Sequence, residues 1–251
     1  MPSVSDASVR YQPLSPQNHN LRQRMVVVLV AFPALAWVFA AGGWLYTITF
    51  AVILSIAVIE FGLLLRSKGY RPSLPIMTVG VLALLIARYL WGLGSTAHIL
   101  AFLCLASQVW HIVDYERGAT SSGTDFALTM GGLLICGWIG SYLISLRNLP
   151  DGLWWVLIVL PCVWTADGFA YVVGHAFGKH PLSHRLSPRK TWEGYIGGVV
   201  GGALSGYLLP LLWTTGVLDK EAFTVVNGLI VGIILSVLTP LGDLCISMIK
   251  R

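Results

Sequence analysis

Long apolar stretches recur along this chain, and they constrain its fold more than any other feature. Each is about 20 residues long, the length that an α-helix needs to cross ~30 Å of hydrocarbon. Eight can be laid out, at about 25–41, 44–65, 74–91, 96–113, 124–146, 153–178, 194–214 and 224–247. Because 56% of the residues are hydrophobic and the mean hydropathy is +0.76, the composition excludes an ordinary soluble domain. The prediction is an all-α, polytopic integral membrane protein with about eight transmembrane helices.

The polar N-terminus differs from the rest of the chain. Residues 1–24 are rich in Ser, Pro, Asn and Gln and lack the pattern of a cleaved signal peptide, so we predict a flexible tail. Residues 25–251 are expected to form one membrane domain. None of the four cysteines belongs to a Cys-x-x-Cys pair, and we predict neither a disulfide framework nor a zinc site.

The basic residues predict how the chain faces. With the N-terminus inside, 13 of the 16 Lys and Arg residues fall in inner segments, while Arg147 and Lys220 fall outside and Arg88 lies within the third stretch. Cytoplasmic loops retain basic residues, so the N-terminus and the loop around residues 179–190 are expected in the cytoplasm. The expected location is the cell membrane, specifically a bacterial inner membrane.

One of these loops contains more charged and hydroxyl residues than the others. Residues 184–198 read HRLSPRKTWEGYIGG in a chain in which only 11% of residues are charged. On charge alone, the loop is equally well interpreted as a basic segment that only fixes the orientation of the chain in the membrane, by the positive-inside rule. The hydroxyls of Ser187 and Thr191 and the carboxylate of Glu193 instead favour a ligand that carries phosphates and a metal.

Two aspartates lie inside apolar stretches, where an ionised carboxylate costs roughly 2.5–3.5 kcal/mol on insertion scales. Asp167 lies near the inner end of the sixth stretch, and Asp243 follows Pro240 and Gly242 in the eighth. Their matched depth, at the level of the basic loop, predicts a shared polar site. The alternative for either aspartate alone is a helix-end residue satisfied by an arginine or by water.

Other polar residues in apolar stretches have simpler interpretations. Glu60 and Arg88 lie about one turn from a helix end, from which a long side chain can reach the interface. His98, His111 and Asp114 lack metal-ligand spacing and are expected to be packing or interfacial residues.

A stripe of glycines follows the basic loop. Glycines at 194, 198, 202 and 206 recur every four residues and leave one face of the seventh helix almost without side chains. Tight packing within one subunit is the simplest interpretation. A dimer face and a groove for an acyl chain are the alternatives.

Two segments carry a family resemblance. Residues 167–194 read DGFAYVVGHAFGKHPLSHRLSPRKTWEG, and residues 242–251 read GDLCISMIKR. From about residue 161 onward, the chain resembles the phosphatidate cytidylyltransferases, also called CDP-diacylglycerol synthases. Their patterns are D-x-x-A-Y-x-x-G-x-x-F-G-K-x-x-L, then S-P-K-K-T-x-E-G, and finally G-D-L-x-x-S-x-x-K-R. Arg189 stands where lysine is more usual.

The resemblance breaks off at Arg251. In the family, the Lys-Arg pair is followed by K-D, by a P-G-H-G-G-x-x-D-R-x-D segment and by a final membrane helix. We therefore expect part of the catalytic site to be missing from the chain as given. This expectation puts activity of the chain in question and leaves family membership unaffected.

The resemblance implies a reaction and its partners. A phosphate oxygen of phosphatidate attacks the α-phosphorus of CTP, giving CDP-diacylglycerol and pyrophosphate in phospholipid biosynthesis. The implied cofactor is Mg²⁺, with a second cation left open. The implied partners are the two substrates, membrane lipids and a second copy of the chain in a homodimer, with no nucleic acid.

The resemblance also assigns roles to residues. On this hypothesis, Asp243 and Asp167 hold the metal, and Lys190 completes the catalytic set. The predicted substrate-binding residues are Ser187, Arg189, Lys190, Thr191, Glu193, Tyr171, Ser247, Lys250 and Arg251.

Within that set, the basic and hydroxyl groups of the loop would hold the triphosphate. Glu193 would either orient a base or ribose contact or pin the loop. Lys250 and Arg251 would meet the phosphatidate head or the pyrophosphate.

Two other functions remain open from the sequence. A CTP-dependent polyprenol or phytol kinase would release CDP instead of pyrophosphate, although the SPRKTWEG stretch favours the cytidylyltransferase. A non-catalytic membrane protein, such as a transporter or a truncated copy, is the other alternative. The internal repeats typical of transporters are not evident in the two halves of the chain.

Overall fold

The computed structural model describes residues 33–183, 185–216 and 224–250, and these are almost entirely helical. Within these ranges, seven segments are long and apolar enough to cross a membrane. They match the last seven predicted stretches to within a few residues, which confirms an all-α, multi-pass membrane protein. The predicted tail, 1–24, and residues 25–32 of the first predicted stretch lie outside the described residues, whereas the rest of that stretch, 33–41, is helical. The chain divides after Ala40, and the elements below belong to the unit that follows.

The helices are α1 (Gly43–Arg66), α2 (Leu74–Trp91), α3 (Leu93–Glu116), α4 (Ser122–Gly132), α5 (Tyr142–Asn148), α6 (Gly152–Phe177), α7 (Trp192–Gly216) and α8 (Val225–Lys250). A π-helical segment, Leu133–Ile139, joins α4 to α5, so that Ser122–Asn148 is one candidate span. Two short strands, β1 (Pro181–Ser183) and β2 (Ser187–Thr191), lie between α6 and α7.

Among the first five helices, α2 is central, and α1, α3, α4 and α5 pack around it. Side chains of Met77, Val81 and Leu84 on α2 are fully buried, and Leu84 forms a core cluster with Leu103 of α3 and Leu133 of the π-helical segment. Large apolar side chains cover the outer faces of the helices, as expected of surfaces that a bilayer covers.

The last three long helices form a second group, in which α7 packs against both α6 and α8. The glycine stripe makes these contacts close. A Cβ at Gly198 would lie 3.0 Å from the carbonyl oxygen of Ala166 on α6, and one at Gly206 would lie 3.0 Å from Cα of Gly232 on α8. The stripe therefore serves tight packing within one subunit, as its simplest interpretation predicts.

Arg88 does not extend to the interface, so that prediction is wrong. Its side chain is 1% exposed, and its guanidinium donates to Oγ of Ser141 from Nε (3.2 Å) and Nη2 (3.0 Å). The same guanidinium lies 4.5 Å from the ring centre of Tyr142. Because Ser141 and Tyr142 give the guanidinium polar partners inside the protein, the side chain does not need to reach water at the interface. His111 is buried and bonds to its own helix, through Nδ1 to the carbonyl oxygen of Ser107 at 2.8 Å, as expected of a packing residue.

The loop after α1 meets the end of α8. Nζ of Lys68 donates to the carbonyl oxygen of Ile249 at 2.8 Å. Carbonyls in the last turn of a helix have no partner within the helix, and a lysine is a favourable one. The contact places the α1–α2 loop and the C-terminal end of α8 at one end of the helix bundle.

Candidate active site

The predicted basic loop is a small antiparallel hairpin between α6 and α7. Pro181 lies opposite Thr191, and Ser183 lies opposite Ser187. Thr191 also caps the N-terminus of α7, since its Oγ1 accepts a hydrogen bond from the backbone N–H of Gly194 at 3.1 Å. The hairpin is thus continuous with the first turn of a membrane helix.

Glu193 in that first turn closes the hairpin. Its carboxylate accepts hydrogen bonds from the backbone N–H groups of Lys179 (3.2 Å) and His180 (3.3 Å), and from Nδ1 of His180 (2.6 Å). Of the two roles predicted for Glu193, these contacts match pinning of the loop. His180 itself was not predicted, because only the hairpin brings it to a residue 13 positions further on.

The three residues predicted to be catalytic come together from three elements. Nζ of Lys190, on β2, donates to Oδ2 of Asp243, on α8. The two side chains are 31% and 58% exposed, so the ion pair remains accessible from outside. Asp167, on α6, interacts electrostatically with both Asp243 and Lys190. Two carboxylates and an ammonium therefore share one site.

Open space adjoins both aspartates. A Cβ added at Gly168 or at Gly242 would meet no atom of the described residues within 4 Å. These glycines are the immediate neighbours of Asp167 and Asp243, respectively. The helix surface next to each carboxylate is therefore not packed against another described element.

Tyr171, Ser187, Arg189 and Ser247 lie on the three elements that also carry the clustered aspartates and lysine. Oγ of Ser247 donates to the backbone carbonyl of Asp243 at 2.7 Å, so it is engaged with its own helix. Tyr171 is 74% exposed and stacks on His175, with ring centres 6.0 Å apart. Arg189 is exposed on the hairpin. The side chain of Lys250 and the whole of Arg251 lie outside the described residues.

The donor set suits a magnesium ion that is shared with a phosphate ligand. Among the described residues, no group of three or more His, Cys, Asp or Glu could hold a metal by itself. Mg²⁺ is usually bound through one or two carboxylates, with waters and substrate phosphates completing its octahedron. Asp167 and Asp243 offer two such carboxylates, and the ammonium at Asp243 shows that this oxygen accommodates a cation. These residues therefore fit Mg²⁺.

Comparison with known sequences identifies the family. The model described as the cytidylyltransferase family matches residues 22–251, which is nearly the whole chain. The chain belongs to the cytidylyltransferase family. The match includes α6, the hairpin, α7 and α8, the elements that carry the clustered aspartates and lysine.

Three relatives found by sequence comparison carry the same name, phosphatidate cytidylyltransferase. A phosphatidate cytidylyltransferase from Synechocystis is 26% identical, over 91% of this chain and 84% of the relative. One from Mycobacterium bovis is 27% identical over 74% of this chain, and one from Pseudomonas aeruginosa is 31% identical over 71%. The aligned regions span 62% and 66% of those two relatives, respectively.

Proposed function

We propose that the chain transfers the cytidylyl group of CTP to phosphatidate, giving CDP-diacylglycerol and pyrophosphate. A phosphate oxygen of phosphatidate forms a bond to the α-phosphorus of CTP. The bond from that phosphorus to the bridging oxygen of the β-phosphate breaks, and its electrons leave with pyrophosphate. The observation that carries the proposal is the joint placement of Lys190, Asp243 and Asp167 in a member of the cytidylyltransferase family.

The residues of the chain would act by positioning and by neutralising charge, the main requirements of phosphoryl-type transfer. Lys190 and Arg189 carry the positive charges that a triphosphate needs. Hydroxyls of Ser187 and Thr191 lie on the same strand and would donate to phosphate oxygens. The long stem of Lys190 would let its ammonium turn from Asp243 to a phosphate.

Asp243 and Asp167 would hold Mg²⁺ in this proposal. When bound, the metal would supply positive charge near the phosphates as negative charge shifts toward pyrophosphate. Glu193 would keep the hairpin closed on α7 while the nucleotide binds.

The site lies where a soluble and a lipid substrate can meet. Asp243 is on a membrane helix, while Lys190 is on a hairpin outside the helices. Most described Lys and Arg residues are in the loops and helix ends on this side, which supports a cytoplasmic orientation in the cell membrane. We also propose a homodimer, on the basis of the family resemblance alone, and its mass in detergent or nanodiscs would test this.

The decisive experiment measures which product receives the α-phosphate of CTP and which receives the γ-phosphate. Membranes that carry the chain are incubated with phosphatidate, Mg²⁺ and CTP labelled in the α- or γ-phosphate. We expect α-label in the lipid product and γ-label in pyrophosphate. Transfer of γ-label to a lipid alcohol, with release of CDP, would instead identify a kinase. CTP binding without a product would identify a non-catalytic protein.

A further inference from the structure

A pocket of about 560 Å³ lies between the α1–α2 loop and the C-terminal end of α3. It is separate from the proposed catalytic set. Its lining includes Arg66, Tyr70, Arg71, Ser73, Trp110 and Asp114. The hydrogen bond from Lys68 to Ile249 places this loop beside the last turn of α8. The pocket is therefore at the end of the bundle where lipid head groups are expected.

Buried polar residues on α4 hold the loop in place. The backbone N–H of Arg71 donates to Oδ1 of Asp125 at 2.7 Å, and that of Ser73 donates to Oγ1 of Thr129 at 3.0 Å. Asp125 is 2% exposed and accepts a further hydrogen bond from Oγ of Ser121 at 2.9 Å. Because each available backbone donor of this short segment is engaged, the pocket wall is preformed.

One wall of the pocket suits a phosphate. Arg66 donates from Nη2 to the carbonyl oxygen of Pro72 at 3.3 Å, and neither Arg66 nor Arg71 forms an ion pair with another described residue. Two guanidinium groups are suitable donors for phosphate oxygens.

The other wall suits a cation. Trp110 and Asp114 are four residues apart on α3 and therefore lie on the same face of that helix. An indole ring and a carboxylate both attract an ammonium group. A carboxylate in this position would weaken binding of a purely anionic ligand, so the two walls together select a head group that carries both charges.

We propose that this pocket binds a phospholipid head group with a phosphodiester and an ammonium group, of the phosphatidylethanolamine type. The phosphate binds at Arg66 and Arg71, and the ammonium binds at Asp114 and Trp110. The volume suits a whole head group better than a single phosphate ion. None of these residues belongs to the proposed catalytic set, so this site goes beyond the proposed function.

The test counts lipids that remain bound to the purified chain in native mass spectrometry, after equilibration with equal amounts of phosphatidylethanolamine and phosphatidylglycerol. Phosphatidate and inorganic phosphate are tested separately. We expect preferential retention of one phosphatidylethanolamine. Equal or better retention of phosphatidylglycerol would overturn the proposal, as would binding of inorganic phosphate with the same affinity. Phosphatidate, the proposed substrate, would overturn it only if its retention fell with that of phosphatidylethanolamine when Arg66 and Arg71 are replaced.

Charge variants make the test specific. Arg66→Gln combined with Arg71→Gln should reduce retention of phosphatidylethanolamine about tenfold, since hydrogen bonds to charged groups are lost. Asp114→Asn should instead abolish the preference over phosphatidylglycerol. Arg117→Gln and Glu116→Gln make matched charge changes outside the pocket lining and should leave retention unchanged. Unchanged retention in the double arginine variant would overturn the proposal. Because the readout is binding, it is independent of cytidylyl transfer.

Discussion

Lys190 and Asp243 are 53 positions apart in the chain, yet the ammonium of one donates a hydrogen bond to the carboxylate of the other. The contact joins the hairpin to α8, and both side chains remain partly exposed. An exposed ion pair of this kind contributes only about 0–1 kcal/mol to stability. Folding therefore does not depend on the pair, and its two charges are available to a ligand.

Asp243→Asn should separate function from stability. The amide keeps the shape of the side chain but loses the charge proposed to hold Mg²⁺, so we expect turnover to fall by at least about 100-fold, the scale seen when one group that stabilises developing charge is removed. The thermal unfolding midpoint should change little. Transfer of α-label from CTP to phosphatidate measures the first, and unfolding of the purified protein in detergent measures the second.

The control for this substitution is Glu116→Gln, which removes one acidic charge at the end of α3. Its turnover and its Mg²⁺ requirement should stay as in the unsubstituted protein. Near-normal rates in the Asp243 variant would remove Asp243 from the site. Asp167→Asn should show the same loss of Mg²⁺-dependent turnover, since both carboxylates are proposed as ligands.

Lys190→Ala should weaken the use of CTP. Loss of an ammonium that contacts a phosphate removes a charge-assisted hydrogen bond, so we expect kcat/KM for CTP to fall about tenfold or more. Steady-state kinetics at varied CTP concentration check this. Lys179→Ala is the matched control, because only the backbone N–H of Lys179 is engaged with Glu193. If both variants behave like the parent, the hairpin is only a topological anchor.

Glu193→Ala should loosen the hairpin. The substitution removes the acceptor of three hydrogen bonds, two of which come from the backbone N–H groups of Lys179 and His180. Hydrogen–deuterium exchange in peptides that cover residues 179–183 should become faster, whereas exchange within α6 should not change. His180→Ala removes only the side-chain bond and should produce a smaller increase. Equal protection in all three proteins would show that Glu193 does not hold the loop.

The sequence predicted those features that depend on patterns local to one segment. Apolar length predicted the spanning helices, and the four-residue glycine period predicted the close packing of α7. The depth of Asp167 and Asp243 along their helices predicted that they share a level of the membrane. Helix periodicity does not give the neighbour order of helices, so only the structure brings Lys190 to Asp243.

Other features depend on partners that are distant in sequence. The hairpin was not predicted, because strands of three and five residues give little periodic signal. Arg88 was placed at the interface, because nothing in its own helix indicates Ser141 as a partner. The pocket beside α3 likewise required the contacts of Asp125 and Thr129 with the α1–α2 loop, which come from 54 and 56 residues away.

Alanine substitution should have a different effect at Gly198, on α7, than at Gly168 and Gly242, which are next to the two aspartates. A Cβ at Gly198 would lie 3.0 Å from the carbonyl oxygen of Ala166 and 3.1 Å from Cβ of Ala170, so Gly198→Ala should force α6 and α7 apart. Overpacking of this kind typically costs about 1–3 kcal/mol, and the unfolding midpoint should fall. Gly168→Ala and Gly242→Ala have open space around the added methyl group and should fold normally.

If a ligand fills that open space, the two latter variants should lose activity without losing stability. We expect a higher KM for CTP or for phosphatidate in Gly168→Ala and in Gly242→Ala, because the added methyl group occupies volume beside Asp167 and Asp243. Kinetics with each substrate varied in turn show which one meets the methyl group. Parent-like kinetics in both variants would mean that substrates do not approach the backbone beside the carboxylates. A loss of stability in both would instead mean that the space belongs to protein packing.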